Sequence, residues 1–211
     1  MQKAKAFLIF FLCFLVLASM GLYAQEEQEE SKEDMPYDSD WDGPIPALYS
    51  SGDKCFTISM GMVVPTLFIE QGEAIKSNLQ PVGGTLCLSF TNFLGSHFFL
   101  GGELSGLFNT TLAKNTLYIV PIGLITGWQF IIWKFEIPVQ LAIGIAPTSF
   151  RSQNYFGMYM KAGASLFYRF SPDWSFGLNT RWSWYPQWTK DPKENVDGNF
   201  IDITLSARYH F

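Results

Sequence analysis

Seven charged residues lie in segments in which apolar and polar residues alternate, and each is on the polar face of its segment. Their side chains could therefore meet on the enclosed side of one sheet. Alternation with a period of two places every second side chain on the same face of a β-strand. Charges on an enclosed face are costly unless they pair, so we predict a network of ion pairs. A polar conduit lined by the same side chains is the alternative. The seven residues are Glu103, Glu136, Lys161, Arg169, Arg181, Asp202 and Arg208.

Residues that could carry catalysis are few. A nucleophile needs a base within hydrogen-bond reach, and the two histidines, His97 and His210, both fall at the same predicted end of the sheet. We therefore expect no enzymatic activity, no catalytic residue and no cofactor, and no residue spacing indicates a metal site. Cys55 and Cys87 fall several residues out of register on adjacent predicted strands, too far apart for a disulfide. We expect two free thiols.

Eight segments carry the alternation, and they are the elements that must position the charges. Each has roughly ten residues or slightly more, and a tilted strand needs about nine to eleven to cross a bilayer. Tight connections alternate with longer ones, the longest being 65–81 and 185–199, and an even strand number suits a single-chain barrel. The sequence therefore predicts an all-β protein, a closed antiparallel transmembrane β-barrel of about eight strands in an up-and-down meander. The segments are 55–64, 82–93, 98–108, 116–130, 135–145, 157–170, 175–184 and 200–211.

The composition favours a membrane wall over a soluble sheet. Charged residues make up 16% of the chain, below the roughly 25% that is typical of soluble domains. Aromatic rings concentrate at the predicted strand ends, such as Phe93 and Trp174 at one rim and Phe108 and Tyr185 at the other. The alternative is a membrane-spanning helix over the apolar run 118–133. Such a helix needs about twenty residues, and this run is shorter. The net charge of −5 and the lack of a basic patch exclude a nucleic-acid partner.

The chain divides into three regions. A basic start, an apolar run and Ala24 predict a secretory signal peptide over residues 1–24, with an uncleaved anchor as the alternative. Residues 25–53 are rich in acids and lack apolar periodicity, which predicts a disordered periplasmic tail. A plug for the barrel or a cation-binding segment is the alternative for this tail. The barrel is predicted to occupy residues 54–211.

A set of apolar side chains shares the inward face near the end that carries the long loops. This shared face predicts an apolar pocket in this part of the lumen. The alternation near Leu117 is weak, and a slip of one residue would turn these side chains outward. The candidate pocket residues are Val63, Leu107, Leu117, Ile119 and Pro121.

The last predicted strand carries a further signal. Leu205, Ala207, Tyr209 and Phe211 share one face, and an amphipathic strand that ends in aromatic-x-Phe resembles the signal that outer-membrane barrels present to the barrel-assembly machinery. Together with the signal peptide and the rhythm of hairpins, residues 54–211 resemble the small eight-stranded bacterial outer-membrane barrels of the OmpX and OmpW type.

This resemblance implies an outer-membrane protein whose partners are the lipid bilayer and the assembly machinery, and we expect a monomer. An apolar lumen of the OmpW type implies that the barrel binds or passes small hydrophobic molecules. The alternative is a structural or adhesin-like barrel with a closed, charge-braced lumen, which would meet host molecules through loops 65–81 and 185–199. Enzymes on this scaffold act near the outer leaflet, which neither His97 nor His210 is predicted to reach.

Overall fold

The structure is a computed structural model of the chain, and it describes residues 49–70, 72–75, 77–111, 115–150, 153–187 and 196–211. The described residues belong to a compact unit formed by residues 43–211. The predicted signal peptide, residues 1–24, and the predicted tail up to residue 48 lie outside the described residues.

The described residues form ten β-strands, and every strand pairing is antiparallel. The helical alternative for residues 118–133 is wrong, since most of that run lies in two strands. In the described part of the chain, no helix is long and apolar enough to span a membrane. The strands are β1 (Lys54–Glu70), β2 (Glu73–Ile75), β3 (Gly83–Phe93), β4 (Phe98–Thr110), β5 (Thr116–Ile119), β6 (Ile122–Ile132), β7 (Phe135–Phe150), β8 (Gln153–Arg169), β9 (Trp174–Gln187) and β10 (Val196–His210).

Strands β5 and β6 are two parts of one strand. Both pair with β4 on one side and with β7 on the other. The register continues across the break, because Ile119 lies opposite Leu107 and the next paired residue, Ile122, lies opposite Leu104. Pro121 interrupts the ladder because it has no N–H to donate. With β5 and β6 counted once, and with β2 as a short addition to β1, the sheet has eight members.

The eight-membered sheet closes on itself. β1 pairs with β10 from Cys55 to Glu70, with one register shift after Pro65. Each remaining strand pairs with its neighbours along the chain. The predicted fold class, a closed antiparallel barrel of eight strands in an up-and-down meander, is confirmed.

The two ends of the barrel differ. Three tight turns lie at one end together with Lys54 and Phe211, and we call it the turn end. One of these turns has only two central residues, and Trp133 adopts a φ of 55° there, as a two-residue hairpin turn requires. The other connections lie at the opposite end, which we call the hairpin end.

The strands reach further toward the hairpin end than the alternation predicts. The predicted loop 65–81 is wrong for its first part, because β1 continues to Glu70 and β2 follows it. The predicted loop 185–199 is wrong at both ends, because β9 runs to Gln187 and β10 begins at Val196. A proline inside a strand suggests an early strand end, but Pro65 sits at a register shift, where the ladder is already disrupted.

Side chains alternate between the outside and the inside of the barrel. Leu178 on the outer face is 48% exposed, whereas its neighbour Asn179 is 4% exposed. Large apolar side chains cover the outer face, and most of the buried side chains are polar or charged, which is the reverse of a soluble barrel. The predicted rim positions of Phe93 and Tyr185 are wrong, because both rings share the parity of luminal residues and are buried.

Candidate functional site

The charges predicted to face the lumen all point into the barrel. Six of them are buried, and Arg169 is half-buried at the turn end. Six of the seven form two clusters, in each of which one glutamate contacts two cations. A buried carboxylate is tolerated when such contacts replace its lost hydration. We name the clusters after Glu103 and Glu136.

The Glu103 cluster lies midway along β4. Lys161 Nζ is 3.1 Å from Oε1 of Glu103, and Arg181 Nη1 is 2.9 Å from Oε2. The Tyr159 hydroxyl also donates to Oε1, at 3.2 Å, and Lys161 donates to Oγ of Ser105 at 2.6 Å. The buried carboxylate is therefore fully used as an acceptor, which is the condition under which a polar network stabilises a core.

The pair of Glu103 and Arg181 crosses the lumen. Glu103 is on β4 and Arg181 is on β9, and these strands are diametrically opposite in the eight-membered ring. Their contact at 2.9 Å therefore forms a side-chain bridge between opposite walls. Such a bridge joins the two walls at this level and places charged side chains across the centre of the lumen.

Glycines opposite large luminal side chains make room for them. Gly163 is the register partner of Arg181, and a Cβ at Gly163 would lie 2.7 Å from Cγ of Arg181. Gly177 stands opposite Phe167 in the same way, and its Cβ would lie 2.6 Å from the ring. Pairing of glycine with a long side chain across two strands is a sequence signal for the clusters that alternation alone does not reveal.

The Glu136 cluster lies near the turn end. Arg169 Nη1 and Arg208 Nη1 each lie 3.3 Å from a carboxylate oxygen of Glu136. Gln129 donates to the same carboxylate at 3.0 Å. The guanidinium of Arg208 also lies 3.9 Å from the centre of the Phe167 ring, a cation–π contact. Glu136 and Arg169 are on neighbouring strands, β7 and β8, near the turn end.

A tyrosine from outside the strands closes the turn end. The ring of Tyr49 is 5% exposed and stacks on Phe93, with centroids 3.8 Å apart and an angle of 2°. Its hydroxyl donates to Glu136 at 2.9 Å and contacts Nδ1 of His210 at 3.1 Å. Burial, and then the charge of Glu136, raise the pKa of Tyr49 well above its usual value, so the hydroxyl keeps its proton. The prediction of a disordered tail up to residue 53 is therefore wrong for Tyr49.

His210 faces the lumen and belongs to the closure around Tyr49. Its Nε2 lies 2.7 Å from Oγ of Ser175, and its Nδ1 lies 3.3 Å from Sγ of Cys55. A serine beside an imidazole can act as a hydrolytic nucleophile, but Ser175 has an exposure of 0%. Ser175, His210 and Tyr49 thus form one buried set of polar contacts, in which His210 contacts both hydroxyl groups.

A small polar chamber, with about 20 Å³ of room for the centre of a water-sized sphere, lies between the two clusters. Arg181 and Arg208 line it, whereas Glu103 and Glu136 do not. Hydroxyl and amide groups make up much of the remaining wall. Among them are Thr57, Ser59, Ser89, Thr91, Gln140 and Ser165.

The hairpin half of the lumen contains an apolar layer. The candidate pocket residues all point inward and are buried, namely Val63, Leu107, Leu117, Ile119 and Pro121. Aromatic rings pack in the same layer, since Tyr185 stacks on Tyr159 at 6.2 Å and meets the edge of Phe200 at 5.6 Å. Most of these side chains form one hydrophobic cluster. The predicted pocket is thus a packed layer of apolar side chains.

Asp202 is the luminal charge outside both clusters. It lies opposite Arg181 in the ladder, yet Arg181 binds Glu103 across the lumen. Neither carboxylate oxygen of Asp202 has a hydrogen-bond partner among the described residues. Although they lie opposite each other, Arg181 and Asp202 therefore do not pair, because parity sets which face a side chain occupies but not which wall it reaches.

The two cysteines are buried free thiols, and the prediction of unpaired thiols is confirmed. Cys87 lies opposite Ser59 on β1, four residues along that strand from Cys55. Within the described ranges, no group of three or more histidine, cysteine or acidic side chains could hold a metal ion.

The residues predicted to signal assembly follow one another along the last strand. Leu205 and Phe211 are exposed on the outer face, and Ala207 and Tyr209 are half-buried between them. Tyr209 meets Phe211 edge to face at 4.8 Å and lies 5.0 Å from Trp174. Their role toward the barrel-assembly machinery stays a prediction.

Comparison with known proteins assigns the chain to a family. A protein-family model matches residues 36–209, more than half of the chain. The chain belongs to a family of uncharacterized Treponema proteins.

Two relatives in this family are uncharacterized proteins of Treponema pallidum (strain Nichols). One is 29% identical over 129 residues, which cover 61% of this chain and 59% of the relative. The other is 22% identical over 138 residues, which cover 58% of this chain and 47% of the relative. The family member described here thus spans about half to three-fifths of the length of the curated relatives that it matches.

Among solved structures, the barrel is similar to the crystal structure of Neisserial surface protein A. The TM-score is 0.53, and the match covers 76% of this chain and 98% of that chain at 9% identity. At this identity the likeness shows the fold alone, which is that of an eight-stranded outer-membrane barrel. The narrower resemblance to the OmpX and OmpW barrels stays a prediction.

Glu103→Gln should destabilise the barrel, because it leaves Lys161 and Arg181 buried without their shared counter-charge. Removal of one partner from a buried ion pair costs about 3–5 kcal/mol, and we expect a loss of this order in the free energy of unfolding. Urea titration of the protein folded in detergent micelles measures it. Glu73→Gln, on the exposed strand β2, is the matched control and should leave stability unchanged. A Glu103→Gln barrel as stable as the wild type would contradict the network.

Tyr49→Ala should open the turn end of the lumen to water. The variant removes the ring that stacks on Phe93 and contacts His210, and it uncovers Cys55 beside that histidine. We expect a charged methanethiosulfonate reagent to modify Cys55 of the folded variant much faster than in the wild type, as followed by mass spectrometry. Tyr49→Phe keeps the stacked ring and should stay protected. Equal rates for the wild type and Tyr49→Ala would mean that Tyr49 does not close the lumen.

Proposed function

We propose that this protein is a monomeric barrel of the bacterial outer membrane with a closed lumen, and that it acts through the strand extensions at its hairpin end. The contact between Glu103 and Arg181 across the lumen is the observation that carries the proposal. The closure of the turn end by Tyr49 supports it. A barrel closed at two levels is suited to contacts at its surface rather than to passage through its centre.

The extensions are long enough to project from a bilayer. β7 and β8 have 16 and 17 residues, whereas a tilted strand needs only about nine to eleven to cross the hydrocarbon core. Near the hairpin end of β8, the side chain of Phe156 is 69% exposed, and Leu67 and Ile75 are exposed on β1 and β2. Exposed apolar side chains on such extensions favour contact with another macromolecule, such as a protein on a host cell.

The proposal includes no catalytic activity. Full burial of Ser175 beside His210 supports this part of it. The acidic region before Tyr49 and the loop residues 71, 76, 112–114, 151–152 and 188–195 lie outside the described residues, and the surface role is proposed for the paired strands alone.

Phe156→Ser should weaken adhesion, because it removes an apolar contact from the hairpin end. The test displays the full chain on the outer membrane of a non-adherent bacterium and counts the cells that bind to a host-cell monolayer. Phe170→Ser is a matched control, since Phe170 is also 69% exposed but lies at the turn end. We expect reduced binding for Phe156→Ser and unchanged binding for Phe170→Ser. Equal binding by all three barrels would count against a surface role.

Passage or binding of small hydrophobic molecules is the second candidate function. The inward-facing residues Val63, Leu107 and Ile119 favour it, because they make the hairpin half of the lumen apolar. The two candidates differ in what they predict for a reconstituted barrel.

In planar bilayers, the closed barrel should give no steady conductance. In a separate fluorescence titration, it should not bind an apolar fluorescent probe. A steady conductance, or probe binding that Ile119→Trp abolishes, would instead support the second candidate. Leu124→Trp, on the outer face of the adjoining strand segment, is the control for the added indole ring.

A further inference from the structure

The charges that face the polar chamber between the two clusters are all positive. Arg181 and Arg208 line the chamber, whereas Glu103, Glu136 and Asp202 do not. The carboxylates therefore lie behind the guanidinium groups as seen from the open space. The seven luminal charges, four bases and three acids, leave one positive charge unbalanced.

Among the described residues, Arg181 binds a carboxylate through only one of its three guanidinium nitrogen atoms. Its Nη1 donates to Glu103 at 2.9 Å, but its Nε and Nη2 have no partner among the described residues. The side chain is only 4% exposed. An unpaired charged donor inside a protein costs free energy, so an acceptor in the chamber would stabilise this arginine.

The chamber offers further donors beside Arg181. Ser59 and Ser89 carry hydroxyl groups that can rotate to donate to an anion. Phe99 and Ile125 form an apolar part of the wall, which strengthens electrostatic attraction inside the chamber. Asn179, two residues from Arg181 on β9, donates to Ser59 and Ser206, and its amide oxygen is an acceptor without a partner among the described residues.

We infer that the chamber is a binding site for one small inorganic anion, held by Nε and Nη2 of Arg181 and by serine hydroxyls. The site goes beyond a surface role for the barrel, because it concerns the inside of the closed lumen and is independent of any partner at the hairpin end.

Bromide is the probe, because its anomalous scattering identifies it in a crystal. Crystals of the protein grown with sodium bromide should show an anomalous peak within hydrogen-bond distance of Nε or Nη2 of Arg181. Arg181→Gln should lose the peak. Arg169→Gln also removes a cation that binds a luminal glutamate, but Arg169 does not line the chamber, so this control should keep the peak.

Thermal unfolding provides a second measurement in case Arg181→Gln does not fold. A ligand that binds only the folded state raises the melting temperature, so bromide should raise it above the value in gluconate, a larger anion, at the same ionic strength. Ser89→Leu fills part of the chamber and leaves both clusters in place, and it should abolish the difference between the two salts.

Three results would overturn the inference. The first is a wild-type chamber that contains no anomalous peak. The second is a peak that persists in Arg181→Gln, which would identify an adventitious ion only. The third is a melting temperature that is the same in bromide and gluconate for the wild type.

Discussion

The pairing of the first strand with the last is the interaction on which the rest of the molecule depends. In a bilayer no water is present to satisfy backbone N–H and C=O groups, so a sheet that crosses it must have no free edge. β1 and β10 meet this requirement along almost their whole length. Closure of only eight strands then confines the polar face of every strand to a narrow interior. The luminal chemistry follows from this confinement.

Confinement decides how the luminal charges are arranged. Side chains from opposite walls come within contact distance, so one carboxylate can serve cations from two strands, as Glu103 and Glu136 do. Long side chains fit because glycines such as Gly163 stand opposite them. The remaining space is divided into an apolar layer, the polar chamber and the closure around Tyr49. Each compartment takes its character from the side chains that parity turns inward.

Alternation in the sequence predicts which face a residue occupies, and closure decides which partner it finds. The inward placement of Glu136 and Arg169, and their contact, could be predicted because they lie near each other on adjacent strands. The contact of Arg181 with Glu103 could not, since nothing in a linear pattern relates β9 to β4. The position of Tyr49 could not be predicted because the surrounding acidic composition predicts disorder, whereas its ring finds a stacking partner in Phe93 and its hydroxyl a partner in Glu136. The full length of β1 could not be predicted, because Pro65 suggests that the strand ends there. The register shift at Pro65 accommodates the proline, and the strand continues beyond it.

The choice of Arg181 between two acids illustrates why the network is built across the lumen. A pair with Asp202 would join β9 to β10, which the backbone ladder already joins. The pair with Glu103 joins opposite walls that no backbone bond connects. It therefore resists flattening of the barrel, a deformation that the ladder alone opposes weakly because neighbouring strands can pivot about their hydrogen bonds. This arrangement costs free energy, because it leaves the buried carboxylate of Asp202 without a hydrogen-bond partner among the described residues. Asp202 lies toward the hairpin end, where packed apolar side chains already hold the walls together.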